Sequence, residues 1–156
     1  RLIRDPVPVL YQSEEEAQIT LGKAKLYAQG KDVSIWACGI MTSIALEARE
    51  LLEAEGISAQ VVDSPSVKPL DHELLLKSAR EIGCIVSCED QLVNGGLGSA
   101  VAELLGEEFP VPMERIGLRN SFGESGKRDV LFEKYGMNTR AVADAAKRVI
   151  TRRGKK

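Results

Sequence analysis

Three short apolar runs alternate with amphipathic helical stretches, and this alternation limits the folds that the chain can adopt. The runs are VSIWAC (33–38), AQVVDS (59–64) and CIVSCE (84–89), all rich in residues with high β propensity. Continuous apolar strands of this kind lie in sheets that are covered on both faces. Strands alternating with helices therefore predict a three-layer α/β/α sandwich with a mainly parallel sheet.

The predicted helices carry apolar residues at intervals of three and four, and capping residues stand at their ends. The first spans roughly Thr42–Glu55 and stops at Gly56, which suits a C-terminal cap. Asp71 is placed to cap the second helix, which stops at Gly83. A third helix follows a glycine cluster at 95–98.

The remaining segments give weaker signals. KAKLYAQGKD predicts a short strand ending in a turn, and PMERIGL (112–118) predicts a last strand that Glu114 and Arg115 interrupt. Two helical stretches follow, RDVLFEKYG and NTRAVADAAKRVITRR, and the basic tail TRRGKK is expected to fray into solvent. Prolines, valines and an acidic run in residues 1–22 predict an extended linker, which leaves residues 23–156 as one domain.

The charge and hydropathy patterns exclude two classes of partner. A formal net charge of −2 gives no support for attraction to nucleic acid or to an anionic membrane. No apolar run approaches the roughly 20 residues that a membrane helix needs. Because the chain begins with Arg1, we consider from the outset that it is a piece of a larger protein.

Three cysteines, Cys38, Cys84 and Cys88, lie in apolar stretches where small buried thiols are common. Cys84 and Cys88 with the lone His72 do not have the spacing of a zinc site. We therefore expect structural thiols, no bound metal and a reducing cytoplasmic location. His72 is expected to be exposed in the first turn of a helix.

The first candidate site is the glycine loop, CEDQLVNGGLGS (88–99). Gly95, Gly96 and Gly98, followed by Ser99, precede a helix, where backbone N–H groups can bind a phosphate or carboxylate. The spacing differs from the dinucleotide fingerprint G-x-G-x-x-G, and no lysine or arginine lies between residues 81 and 114. A tight turn with positive φ explains the glycines as well, and we favour it.

Glu89 and Asp90 end the strand that leads into this loop. Paired carboxylates can bind a metal or transfer protons, but neighbours on a strand point to opposite faces unless the chain bends. A solvated strand end, or a role as a cap or salt bridge, is the favoured interpretation.

The second candidate is the polar loop NSFGESGKRD (120–129). Ser125 and Lys127 precede a helix and can bind an anion there, although a helix cap at Ser125 accounts for the pattern too. Residue reasoning alone thus yields no nucleophile–base pair, metal cluster or complete cofactor cradle.

Three motifs together resemble the C-terminal domain of the transketolase family. They are V-D-x-x-x-V-K-P-L-D (62–71), E-D-x-x-x-x-G-G-L-G (89–98) and F-G-E-S-G (122–126). Deoxyxylulose-phosphate synthases and the beta subunits of 2-oxo-acid dehydrogenases share this domain, whereas FGESG followed by LFEKYGM looks more like transketolase, particularly its split form. Many members have a histidine after Glu-Asp; this chain has Gln91, which argues against a role through that histidine.

The resemblance implies an enzyme of the pentose phosphate pathway that moves a two-carbon ketol unit between sugar phosphates with thiamine diphosphate and Mg²⁺. In the family those groups belong to the two preceding domains. We therefore expect no catalytic, cofactor-binding or metal-binding residue in this chain, and no activity from the chain alone. The resemblance also implies a five-stranded mixed sheet whose first strand, about residues 24–29, is antiparallel.

Two roles for the domain stay open. In the first, it supports the cofactor-binding domains or subunit within a homodimer of the complete enzyme, with the 88–99 loop near the active-site side. In the second, it is a regulatory module of a thiamine-diphosphate enzyme, a deoxyxylulose-phosphate synthase or a 2-oxo-acid dehydrogenase. Such a module binds an anion through the glycine loop or docks another protein.

Overall fold

A computed structural model describes residues 6–154; the ends of the predicted linker and basic tail, residues 1–5 and 155–156, lie outside the described residues. The described residues form five strands and five helices, which alternate from β2 to α4. These elements are β1 (Lys25–Ala28), β2 (Val33–Ala37), α1 (Met41–Ala54), β3 (Ala59–Asp63), α2 (His72–Ile82), β4 (Ile85–Leu92), α3 (Leu97–Glu108), β5 (Met113–Leu118), α4 (Arg128–Lys134) and α5 (Thr139–Arg153).

The strands form a single mixed sheet in the order β1-β3-β2-β4-β5. Strands β2 to β5 are parallel, and β1 pairs antiparallel with β3, with Lys25 opposite Asp63. The expected mixed sheet with an antiparallel first strand is therefore confirmed. Strand order reverses between β2 and β4, and open α/β sheets bind ligands beside the carboxyl ends of strands at such a point.

Two apolar cores, one on each face of the sheet, explain why the central strands are apolar throughout. Helices α1 and α5 cover one face, and α2 and α3 cover the other. Successive side chains of β2 point to opposite faces of the sheet, and helices cover both faces, so all five residues of β2 are buried. Ile35 lies in the first core and Trp36 in the second, so the predicted three-layer sandwich is confirmed.

The helix ends follow the residues predicted for them. The Asp71 side chain accepts a hydrogen bond from the Leu74 N–H at 3.2 Å and caps α2. Gly56 and Gly83 follow α1 and α2 with φ of +80° each, a backbone conformation that favours glycine. His72 is exposed at the start of α2, as expected.

Residues 151–153 of the basic tail do not fray as expected, because α5 continues to Arg153 and their charges lie at its C-terminal end. Arg153 Nη1 donates hydrogen bonds to the carbonyls of Asp32 at 2.8 Å and Ile82 at 2.7 Å. Arg152 Nη1 binds Glu114 Oε1 at 2.9 Å. The two arginines thus join the end of α5 to α2, to β5 and to the turn before β2. Glu114 fits β5 because α5 supplies its counter-charge.

Replacing Arg153 with alanine should lower the free energy of unfolding by about 1–3 kcal/mol, because two carbonyls lose a charged donor. Arg140→Ala is the matched control: Arg140 is exposed on the same helix, and its loss should cost within about 0.5 kcal/mol. Urea unfolding followed by circular dichroism measures both. Equal effects of the two substitutions would contradict a structural role for the helix end.

Candidate functional site

The glycine loop follows the carboxyl end of β4, and the Val93 N–H at its start donates to the carbonyl of Leu118, the last residue of β5, at 3.0 Å. Strand β4 does not end at Glu89 but continues to Leu92, and its register with β5 shifts between Cys88 and Leu92. The chain then turns through residues 93–96 and enters α3. The irregular strand end places the carboxylate of Glu89 beneath the first turn of α3.

Glu89 is the centre of this loop, and its side chain is almost completely buried, with only 2% exposed. Its Oε2 accepts the N–H of Leu97 at 2.9 Å, and its Oε1 accepts the N–H of Gly98 at 2.8 Å. Both N–H groups belong to the first turn of a helix, where they have no partner within the helix and favour a negative charge. The expected solvated strand end is wrong for Glu89, and the alternative of a helix cap is confirmed.

Two of the loop glycines are explained by the space that this carboxylate takes. A Cβ atom at Gly96 would lie 1.8 Å from Glu89 Oε2, and one at Gly98 would lie 3.0 Å from Glu89 Oε1. The positive φ of a tight turn occurs at Gly95, at +84°, whereas Gly96 has a φ of −103°. Gly96 is therefore required for space, and Gly95 for its backbone conformation.

The rest of the loop is closed by hydrogen bonds among its own residues. Ser99 Oγ donates to the Val93 carbonyl at 3.0 Å and accepts the Gly95 N–H at 2.8 Å. Arg115 Nη1 donates to the same Val93 carbonyl at 3.0 Å. Ser99 is thus a structural member of the turn, and its binding of an external ligand stays a prediction.

Asp90 and Glu89 diverge, as expected for neighbours on a strand. Asp90 is half-buried and lines an open cleft of about 310 Å³ beside the glycine loop, together with Gln91 and Asn94. The two carboxylates therefore do not form a pair that can share a metal or a proton. Within residues 6–154, no group of three or more His, Cys, Asp or Glu side chains is arranged to hold a metal ion.

Burial raises the pKa of the Glu89 carboxyl above its ordinary value. The N–H groups of Gly98 and Leu97 and the charge of Arg115 oppose this shift, while Asp90 adds to it. Desolvation is the largest of these effects, since a carboxylate without water around it is costly even when hydrogen-bonded. The protonation of Glu89 is therefore coupled to the stability of the loop.

The second candidate loop is exposed and is held by residues other than those predicted. Helix α4 begins at Arg128, and no side chain caps it, so the predicted cap at Ser125 is wrong. The loop is instead held by Glu124, whose carboxylate binds Lys134 Nζ at 2.6 Å. Ser125 and Lys127 are exposed and line neither of the clefts beside the glycine loop, so anion binding by them stays a prediction.

Sequence reasoning missed the contacts of residues 6–17, named here the N-terminal strap. Tyr11 donates its hydroxyl proton to Asp63 Oδ2 at 2.6 Å, at the carboxyl end of β3. Arg128 Nη1, at the start of α4, donates to the Pro6 carbonyl at 3.0 Å. The strap thus crosses the side of the sheet where the parallel strands end. A single tyrosine within a proline–valine segment was the only sequence signal for it.

The cysteines and the helices complete the description of possible sites. Cys84 and Cys88 are buried, as predicted, while Cys38 is partly exposed, and none of the three cysteines forms a disulfide. Within the part of the chain that the structure describes, no helix is long and apolar enough to span a membrane.

Comparison with known proteins agrees with this geometry. A family model described as "Transketolase, C-terminal domain" matches residues 22–142. The chain belongs to this family. The resemblance stated from the sequence motifs is therefore confirmed, and in this transketolase C-terminal domain all three motifs lie at the carboxyl-end side of the sheet.

Two curated relatives cover most of this chain. It is 47% identical over 153 residues to the 6-deoxy-6-sulfo-D-fructose transketolase subunit SqwH of Clostridium sp. (strain MSTE9), a match that spans 98% of this chain and 47% of that protein. It is 46% identical over 135 residues to a 1-deoxy-D-xylulose-5-phosphate synthase of Heliobacterium modesticaldum. That match spans 86% of this chain and 21% of the synthase.

Solved structures agree with the fold of this transketolase C-terminal domain. A protein described as a split gene transketolase, inactive beta4 tetramer, matches at a TM-score of 0.90 and 48% identity, over 95% of this chain and 48% of that one. A transketolase mutant from Pichia stipitis has a TM-score of 0.63 at 24% identity, over 83% of this chain and 18% of that one, and shows the fold alone. The chain spans about half the length, or less, of the relatives that it matches.

Replacing Gly96 with alanine should lower the free energy of unfolding by about 3 kcal/mol, because the new Cβ displaces a buried carboxylate. Gly106→Ala, within the helix that Gly96 precedes, is the matched control: a Cβ there meets no atom within 4 Å. That control should stabilise the fold by about 0.5–1 kcal/mol through helix propensity. Similar melting temperatures for both variants would contradict the account of the glycine loop.

The raised pKa of Glu89 predicts how its contribution to stability changes with pH. The pKa of Glu89 is higher in the folded state than in the unfolded state. Its contribution to stability is therefore fully present at pH values below the ordinary glutamate pKa of about 4.3. It is lost as the pH rises through the folded-state pKa. The difference in unfolding free energy between wild type and Glu89→Gln should therefore shrink from pH 4 to pH 8. A difference that grows with pH would show that the helix N–H groups outweigh burial.

Proposed function

We propose that the chain is the C-terminal part of a transketolase, an enzyme that transfers a two-carbon ketol unit between sugar phosphates. The observation that carries this proposal is the match to a split gene transketolase at a TM-score of 0.90 and 48% identity. The match to a transketolase subunit over 98% of this chain supports the same assignment. Both relatives extend well beyond the matched region, so we assign the activity to the assembled protein.

The family implies thiamine diphosphate and Mg²⁺, and the residues of this chain do not fit them. Among residues 6–154, no three acidic, histidine or cysteine side chains converge into a metal site. The start of α3 does not offer a diphosphate site, because the Leu97 and Gly98 N–H groups already bind Glu89. We therefore assign both groups to cofactor-binding domains or to a partner subunit.

The role that fits this chain is structural support within the enzyme. The glycine loop is closed by its own residues, and Arg115, the cation nearest to Glu89, donates to the Val93 carbonyl. An anion-binding regulatory module, the alternative role, has less support because its binding position is filled. We propose a homodimer of the complete enzyme, acting in the cytoplasm in the pentose phosphate pathway.

One observation favours a second candidate substrate. The relative matched at 47% identity is named for 6-deoxy-6-sulfo-D-fructose, a ketose that carries a sulfonate where fructose 6-phosphate carries a phosphate. Both sugars offer the same ketol unit and an anionic end. The second candidate is therefore ketol transfer from a sulfosugar by the same kind of assembly.

Reconstitution tests the proposal. We expect two-carbon transfer to an aldose phosphate only when this chain is combined with a cofactor-binding transketolase half, thiamine diphosphate and Mg²⁺. Each half alone serves as a control and should be inactive. Parallel assays with fructose 6-phosphate and 6-deoxy-6-sulfo-D-fructose as donors distinguish the two candidates. Transfer by this chain alone, or a stable complex that uses neither donor, would contradict the proposal.

A further inference from the structure

The N-terminal strap is fastened to the domain at Tyr11, and we infer that the Tyr11–Asp63 pair is a latch that orients whatever precedes this domain in the chain. The inference rests on the proposed function in one respect, since the part so oriented is then the cofactor-binding part of a transketolase. Tyr11 and Asp63 are accordingly positioning residues rather than catalytic ones.

The acceptor of the latch is held rigidly by the fold. Asp63 is the last residue of β3, where it pairs with Lys25 of β1. Its Oδ1 accepts the hydroxyl of Thr42 at 2.9 Å, and Thr42 is a buried residue in the first turn of α1. Its Oδ2 accepts the hydroxyl of Tyr11 at 2.6 Å. One carboxylate thus joins the strap to a strand and to a helix.

The ring of Tyr11 is enclosed by two side chains of β1 that also bind the strap. The Tyr27 ring lies 5.8 Å from it between centroids, and Lys25 Nζ lies 4.2 Å from its centroid, within the range of a cation–π contact. Lys25 donates to the Glu16 carbonyl, and Tyr27 donates to the Leu10 carbonyl. The strap backbone is therefore held on both sides of Tyr11.

Hydrophobic burial does not account for the position of the strap. Val9 is 81% exposed and Val7 is 43% exposed, so these two valines point mainly to solvent, and only Leu10 of the apolar side chains just before the latch is half-buried. Polar contacts therefore fix the strap. The Tyr11 hydroxyl donates to a carboxylate, and hydrogen bonds with a charged partner are stronger than those between neutral groups.

The segment before Tyr11 is stiff, so the direction in which the chain leaves the domain is fixed by the latch. Pro6 and Pro8 have fixed φ angles, and proline also restricts the residue that precedes it. The five residues from Pro6 to Leu10 span at most roughly 17 Å when extended. Arg128 binds the Pro6 carbonyl at 3.0 Å, so both ends of this stiff segment are attached to the domain.

The phenol of Tyr11 keeps its proton at neutral pH. Burial raises its pKa above the ordinary value, and the hydrogen bond to Asp63 raises it further. A protonated phenol is the donor that the geometry of the contact with Asp63 requires.

Hydrogen exchange tests the latch directly in the assembled enzyme, with the cofactor-binding part joined ahead of residue 1 so that the strap connects the two. Tyr11→Phe removes only the hydroxyl, and amides of residues 9–18 should then exchange about tenfold faster. Tyr135→Phe is the matched control, because its hydroxyl contacts the loop around Glu124 instead. Thr42→Val, which removes the other donor to Asp63, should act in the same direction as Tyr11→Phe. Unchanged exchange in both Tyr11→Phe and Thr42→Val would overturn the latch.

Kinetics of the assembled enzyme test the positioning role. Tyr11→Phe should lower kcat several-fold, with the KM for the sugar donor and the melting temperature unchanged, because misplacement of a domain slows the reaction more than it weakens binding. Faster exchange with unchanged kcat would overturn positioning while leaving the latch in place. If the wild-type assembly transfers no ketol unit, the proposed function fails, and the exchange comparison still decides the latch.

Discussion

The contact between the Glu89 carboxylate and the start of α3 determines the shape of the whole glycine loop. A buried carboxylate needs hydrogen-bond donors, and the first turn of a helix supplies N–H groups that lack partners. For Leu97 and Gly98 to reach both oxygens, β4 must leave its regular register and the loop must approach without side chains at positions 96 and 98. The bonds of Ser99 and Arg115 to the Val93 carbonyl then close the turn.

This interaction changes the meaning of a motif that looks like an anion site. Glycines before a helix at the carboxyl end of a parallel strand are typical of phosphate binding. Here the negative charge comes from the chain itself. The N-terminal strap occupies another part of the same edge, where Tyr11 binds Asp63 at the end of β3. We interpret this side of the domain as a surface stabilised from within, which supports the proposal that other parts of the enzyme bind the cofactor.

Local patterns in the sequence predicted the fold well because each element carries its own signal. Continuous apolar runs such as VSIWAC indicated strands covered on both faces, and Asp71, Gly56 and Gly83 marked helix ends through capping rules that involve near neighbours. The antiparallel first strand came from the family resemblance rather than from periodicity, and the order of the strands was not predicted.

Two of the contacts that the sequence did not predict join residues far apart along the chain. Tyr11 and Asp63 are 52 positions apart, and Arg153 and Asp32 are 121 apart, so no local rule pairs them. Glu89 and Leu97 are only 8 apart, but their bond depends on the irregular end of β4. The tail arginines were expected in solvent because the carbonyls that they bind belong to other elements.

The most direct test of this account is to titrate the ¹⁵N-labelled chain with inorganic pyrophosphate and follow the amide resonances of Leu97 and Gly98. If Glu89 occupies the start of α3, these two signals should not move in a saturable manner. Saturable shifts of both amides with a defined dissociation constant would show that an external anion displaces Glu89, and would contradict the central claim.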